Sequence, residues 1–177
     1  MWPTHASRVV YENPWIRVRE DDVTRPDGSR GVYGVVETHA PSVFIVALDA
    51  DDRVVLVTQD RHTTGGPSIE VPAGGSDGDD LLEAAKRELW EETGLTARSW
   101  SRLGSLAAMN GISSEIQHVF LARGLASSGE DRRAEDGITD VRTVPFDEVL
   151  AMVRRGEIAD GQTVSSLMLA ALELGRL

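Results

Sequence analysis

Residues 87–95 read Arg87-Glu88-Leu89-Trp90-Glu91-Glu92-Thr93-Gly94-Leu95, and no other stretch of the chain carries as much chemistry. Glu88, Glu91 and Glu92 fall within little more than one helical turn, behind an arginine and ahead of a helix-ending glycine. Residues three or four apart share a helix face, so Glu88 and Glu92 point the same way, with Glu91 at their flank. Like charges placed so repel one another, and a divalent cation removes that penalty. Hard oxygen ligands on one face suit magnesium, which keeps several waters and also binds substrate phosphates.

A glutamate-rich run by itself also fits a solvated helix face, so its surroundings decide. Ile69-Glu70-Val71-Pro72-Ala73-Gly74-Gly75 is a short apolar run broken by proline and glycine, a strand entering a loop. Asp77, Gly78, Asp79 and Asp80 supply turn chemistry and then acids suited to a helix N-terminus. Leu81 to Trp90 continues as an amphipathic helix with Leu82, Ala85 and Leu89 on its buried stripe. Glu83, Arg87 and Glu91 stand at successive i, i+4 positions, so Arg87 can neutralise its neighbours. Gly94 suits a C-cap.

This loop–helix–loop resembles the signature of the Nudix hydrolases: Gly, five residues, Glu, seven residues, then Arg-Glu-apolar-x-Glu-Glu-x-Gly-apolar. Gly74 opens it and residues 87–95 close it. The acid separated from Arg87 by seven residues is Asp79 instead of Glu, and only four residues separate it from Gly74. The distal half, which holds the family's main metal ligands, is intact.

Outside the signature, composition narrows the class. The 177 residues suit one domain with a substantial core, and 41% hydrophobic and 27% charged residues describe an ordinary globule. A net charge of -11 argues against a nucleic-acid binder, which needs basic patches to displace phosphate counterions. It leaves a nucleotide substrate open, because bound metal reverses the local sign. The chain has no cysteine, which fits a reducing compartment. Neither a secretory leader nor a membrane-length apolar run is present, so the expected location is the cytoplasm, away from membranes.

Strands are predicted over 8–10, 15–23, 31–37, 42–48, 53–58, 97–107, 115–122 and 141–144, with closing helices over 146–154 and 163–174. Pro26-Asp27-Gly28 and residues 49–52 read as hairpin turns. Residues 126–136, small and charged, read as a mobile loop. Strands on both sides of one helix, with two helices at the end, indicate an α/β fold with a mixed sheet. The resemblance implies the Nudix α/β/α sandwich with an N-terminal antiparallel β-hairpin arm. Its expected division is an arm over residues 1–40, engaged in dimerisation, and a Nudix hydrolase domain over 41–177.

The resemblance also implies roles. Glu88 and Glu92 would be the principal metal ligands, with Glu91 sharing that duty and the Ala73 carbonyl adding a donor that Pro72 and Gly74 free from strand pairing. Arg87 would orient Glu91. Thr58-Gln59-Asp60-Arg61 and Glu70-Val71-Pro72-Ala73-Gly74 resemble flanking motifs of the ADP-ribose pyrophosphatase branch, making Arg61 a phosphate binder and Glu70 a substrate contact or partner of Arg61. Glu115, ending a glycine-containing loop, is a candidate for metal or ribose contact. Glu135 is the expected general base, with Asp136 as alternative. Tyr11, Trp15 and Tyr33 offer aromatic faces for a base.

The leading expectation is a magnesium-dependent pyrophosphohydrolase, with manganese as the alternative ion. It would act on a small nucleoside diphosphate derivative, ADP-ribose giving AMP and ribose 5-phosphate, as a homodimer. UDP-glucose or GDP-mannose type sugars are the nearest alternative. A non-catalytic nucleotide sensor predicts a degraded ligand set, which this chain lacks, and an RNA role conflicts with the acidic balance.

Overall fold

A computed structural model describes residues 2–130, 132 and 137–176. An N-terminal antiparallel sheet is built from β1 (Thr4–Glu12), β2 (Ile16–Thr24) and β3 (Arg30–Thr38), in the order β1-β2-β3. The expected antiparallel arm is present, and its first strand, predicted over 8–10, runs over residues 4–12 and pairs along β2. Its hairpin turn lies where Pro26, Asp27 and Gly28 place it, with Arg25 N–H bonded to the Ser29 carbonyl at 2.8 Å.

The second sheet is mixed. It comprises β4 (Ser42–Leu48), β5 (Arg53–Arg61), β6 (Gly66–Glu70), β7 (Ala73–Gly75), β8 (Leu95–Ala107), β9 (Ile116–Ser127) and β10 (Ile138–Pro145). The path runs β10-β5-β4-β9-β8, with β4 parallel to β9. Leaving their hairpin at residues 49–52, β4 and β5 pair at Leu48 and Val54 and then separate. Into the opening between them run β6, antiparallel to β5, and β7, antiparallel to β4. This wedge delivers residues 70–75 to the middle of the sheet. The sequence reading places a strand only from Ile69, whereas β6 begins at Gly66, because Gly65, Gly66 and Pro67 are turn residues that here open a strand. Strand β9 extends to Ser127, paired with Leu95, so the expected loop begins later than Ala126.

Helix α1 (Leu81–Thr93) covers one face, and α2 (Phe146–Arg155) and α3 (Gly161–Glu173) cover the other. Alternation along β4 divides the core: Val43, Ile45 and Ala47 pack on Ala84, Ala85 and Leu89 of α1. Phe44, Val46 and Leu48 pack with Phe146, Val149, Leu167 and Ala170 beneath α2 and α3. Both faces of β4 and β5 are thus buried, as their near-continuous apolar sequences require. Leu82, expected on the stripe, is only partly buried, and Ala84 takes that place.

Candidate active site

Helix α1 starts and stops on local signals. Asp80 Oδ1 accepts from Leu82 N–H at 2.9 Å, and Gly94 ends the helix in the left-handed region at φ 69°. Between the caps, Glu88 and Glu92 are buried, at 8% and 4% exposure, on the side facing β7. Glu92 Oε2 accepts from Ala73 N–H at 2.9 Å. The Glu88 carboxylate lies in the space a side chain at residue 74 would fill, so a Cβ on Gly74 would overlap it. The two carboxylates therefore meet consecutive residues of one strand.

Ala73 turns its backbone toward the helix for a reason other than the expected one. The ladder is not broken at Pro72 and Gly74. Ile45 N–H bonds the Pro72 carbonyl at 2.9 Å, which makes Phe44 and Ala73 a non-hydrogen-bonded pair. The N–H and C=O of Ala73 both face away from β4, and the N–H is the group that meets Glu92.

Arg87 binds the acids together. Its Nη1 donates to Glu88 at 2.7 Å and Glu91 at 2.9 Å; its Nη2 donates to the Gly75 carbonyl at 2.7 Å and Asp77 at 3.3 Å. Asp79, which stands where the signature has its first acid, is 4.0 Å from Arg87 and exposed. Burial works to lower the Arg87 pKa, and the charges of Glu88, Glu91 and Asp77 outweigh it and raise it. Arg132 stacks over Trp90, 4.9 Å from the ring centroid, and reaches Glu91 at 3.9 Å.

A divalent ion of this kind takes oxygen ligands. Among the described residues, no three His, Cys, Asp or Glu side chains already converge as ligands, and arginine bonds hold Glu88 and Glu91. The chemistry nonetheless fits: two buried carboxylates on one helix face, a third at its edge, and an off-ladder carbonyl at Ala73 are all hard oxygen donors.

Glu70 is 3% exposed and holds Arg61 through two bonds, Nε at 2.9 Å and Nη2 at 2.5 Å. Burial pushes the Glu70 carboxyl up, but hydrogen bonds from Arg61 and Ser68 and the Arg61 charge hold it below its ordinary value. The hydrogen bond to Glu70 in turn raises Arg61, despite burial, with a smaller contribution from the charge of Glu92. Arg61 and Glu70 line a cleft of about 580 Å³ together with Phe44, Ser68, Gly161 and Gln162.

Glu115 accepts from Ser42 Oγ at 2.6 Å, and Ser42 pairs with Gly75, so Glu115 stands beside the end of β7. Glu135 and Asp136 lie outside the described residues. The aromatic candidates Tyr11, Trp15 and Tyr33 belong to the N-terminal sheet and line no part of the cleft. Sequence reasoning missed Phe44 and the first turn of α3. The Asp160 cap, whose carboxylate accepts from Thr163 N–H at 2.7 Å, marks where that helix starts but not what it faces.

Comparison with known proteins adds an independent line. The NUDIX domain model matches residues 38–166, and a model described as the nucleoside diphosphate sugar hydrolase N-terminal domain matches residues 2–36. A methanol dehydrogenase activator from Bacillus methanolicus is 30% identical over 175 residues, covering 96% of this chain and 92% of that protein. An ADP-ribose pyrophosphatase from Mycobacterium tuberculosis is 34% identical over 168 residues, covering 93% and 81%. In fold, a crystal structure of an ADP compounds hydrolase superposes with a TM-score of 0.86 at 22% identity, covering 99% of this chain and 97% of that one.

Proposed function

The chain belongs to the Nudix family, and from that premise we propose that it hydrolyses the diphosphate of ADP-ribose, giving AMP and ribose 5-phosphate. The observation that carries this reading is the juxtaposition of two buried carboxylates, Glu88 and Glu92, on consecutive residues of β7, beside a cleft whose wall holds Arg61. The relative from Mycobacterium tuberculosis points to the same substrate.

A divalent ion, proposed as magnesium with manganese as the substitute, would neutralise phosphate charge and lower the pKa of water at the site. Glu88, Glu92, Glu91 and the Ala73 carbonyl are its proposed holders. Arg87 keeps Glu91 and Glu88 oriented through the bonds that now join them. Arg61 presents a guanidinium to the diphosphate, prepositioned by Glu70 so that little ordering is left to do on binding. Glu115, fixed by Ser42, is proposed to contact the ribose or a second ion. Attack by water forms one P–O bond and breaks the bridging P–O bond, and the water's proton passes to a base. Glu135 is that proposed base on sequence grounds, with Asp136 as alternative.

The same proposal divides the chain into an arm, 1–40, and a hydrolase domain, 41–177, and pairs the arm with a second copy. Every position of β1 is exposed, and Val9, Tyr11, Trp15 and Val32 are each more than half exposed. Apolar groups gathered this way mark an interaction surface. Sedimentation velocity is expected to give a mass near twice the chain's 19.2 kDa, and a sharp loss of that species after Trp15→Glu.

A second reading has its own support: the match of residues 2–36 favours a nucleoside diphosphate sugar as substrate. Product analysis with magnesium over ADP-ribose, UDP-glucose and GDP-mannose separates the two. ADP-ribose is expected to be hydrolysed with the highest kcat/KM, to AMP and ribose 5-phosphate. A tenfold advantage for either sugar nucleotide would replace the preferred reading, and no turnover of any would end it.

A further inference from the structure

Residues 108–115 join β8 to β9, and Glu115 closes them. Met109 and Ile112 in this loop are exposed, and neither belongs to a core cluster. Packing therefore does little to hold the loop, and hydrogen bonds must. Among the described residues, its bonds to the rest of the chain run to Ser42 and to strand β3 of the N-terminal sheet.

Strand β3 is an edge strand, with β2 on one side only, so its outer backbone groups need partners. The loop supplies them at Val36. Val36 N–H donates to the Ile112 carbonyl at 2.8 Å, and Ser114 N–H donates to the Val36 carbonyl at 3.3 Å. Three residues earlier on β3, the Tyr33 hydroxyl donates to the Gly111 carbonyl at 2.5 Å. Trp2 packs edge-on against the Tyr33 ring, with centroids 5.3 Å apart and planes at 85°, and so orients the phenol. Ile112 and Ser113 N–H groups both bond the Met109 carbonyl, at 2.9 and 2.8 Å, which closes a tight turn around Gly111. Past that turn, Ser113 Oγ accepts from Glu115 N–H at 3.1 Å, and Glu115 ends the series on Ser42, opposite Gly75.

We propose that Tyr33 is a positioning residue for the hydrolysis: from the N-terminal sheet it holds the 108–115 loop so that Glu115 stands at the end of β7. The inference rests on the reading above, in which Glu115 contacts the ribose or a second ion. Tyr33 lines no part of the Arg61 cleft, so its effect passes through Gly111. Ser42 fixes the tip of the Glu115 side chain, and β3 fixes the backbone from which that side chain starts. Both ends must be set, because a contact displaced by about 1 Å can cost up to about 100-fold in rate. The N-terminal sheet thereby serves the chemistry of its own chain, besides any pairing with a second copy.

The test is a double-mutant cycle on kcat/KM for ADP-ribose with magnesium, using Tyr33→Phe, Glu115→Gln and the two together. Tyr33→Phe keeps the ring that Trp2 packs on and removes only the hydroxyl. Alone, it is expected to lower kcat/KM about fivefold, the worth of one neutral hydrogen bond, with a thermal midpoint within about 4 °C of wild type. On top of Glu115→Gln it is expected to add less than about twofold, because members of one network are not additive. Hydrogen exchange gives a readout independent of turnover: the Val36 and Ser114 amides should exchange faster in Tyr33→Phe, while those of β4 and β9 keep their protection. Unchanged kcat/KM in Tyr33→Phe, or the same fold loss with and without Glu115, would overturn the proposal, as would wild-type activity in Glu115→Gln. Unchanged exchange at Val36 and Ser114 would overturn it too. A wild type inactive on every diphosphate would instead end the pyrophosphohydrolase reading, and amide exchange would still decide whether Tyr33 holds the loop.

Discussion

Two arginine assemblies flank β6 and β7, and they are built on opposite principles. Arg61 and Glu70 form a closed pair: one cation, one nearly inaccessible carboxylate, two parallel bonds. Arg87 is spread over Glu88, Glu91, Asp77 and the Gly75 carbonyl, while Glu92 stands beyond it on Ala73. The first assembly is balanced and positions a guanidinium at a cleft. The second gathers three carboxylates around one arginine beside β7, and Glu88 and Glu91 among them belong to the set proposed to hold a divalent ion.

Breaking the proposed ion-holding set should have the largest effect. Glu92→Gln keeps shape and removes charge, so turnover is expected to drop by about 100-fold or more. Circular dichroism should show the fold intact, and calorimetric titration with manganese should show weakened binding. Near wild-type turnover would remove Glu92 from the ligand set. Gly74→Ala is gentler. Its backbone is not in the left-handed region, and the nearest atoms a Cβ would meet belong to the Glu88 carboxylate, a flexible tip that can move away. Activity is expected to fall about 10-fold with little change in thermal midpoint; a large loss of stability instead would show the glycine to be structural.

The balanced pair should answer to pH, and more weakly. Glu70→Gln is expected to cost about 1 kcal/mol at neutral pH, a value reduced because Arg61 is 44% exposed. Glu70 is held below its unfolded value, so its contribution is present above the ordinary carboxylate range and fades as pH falls through the depressed value. Urea unfolding of both proteins should therefore give a gap that is widest at neutral pH and closes below about pH 4. A gap that widened toward acid would contradict the pairing.

How much could be read beforehand follows from the range of each interaction. Helix α1, its Asp80 and Gly94 caps and the shared face of Glu88 and Glu92 were legible, since capping and i, i+4 spacing act within a few residues. The Arg61–Glu70 pair was legible as one of two alternatives. The first half of strand β6 was not, because Gly66 and Pro67 carry the composition of a turn and only the separation of β4 from β5 makes room for a strand there. The reason expected for a free Ala73 carbonyl does not hold: register, not a broken ladder, turns it away from β4.

The sequence by itself determined that three carboxylates and an arginine share one helix, because their spacing along the backbone leaves no other arrangement. Tertiary structure decided what those acids face. Gly74 lies 14 residues before Glu88, and Ser42 lies 73 before Glu115. Contacts across such distances arise from packing a whole core around β4 and β5, and no local pattern encodes them.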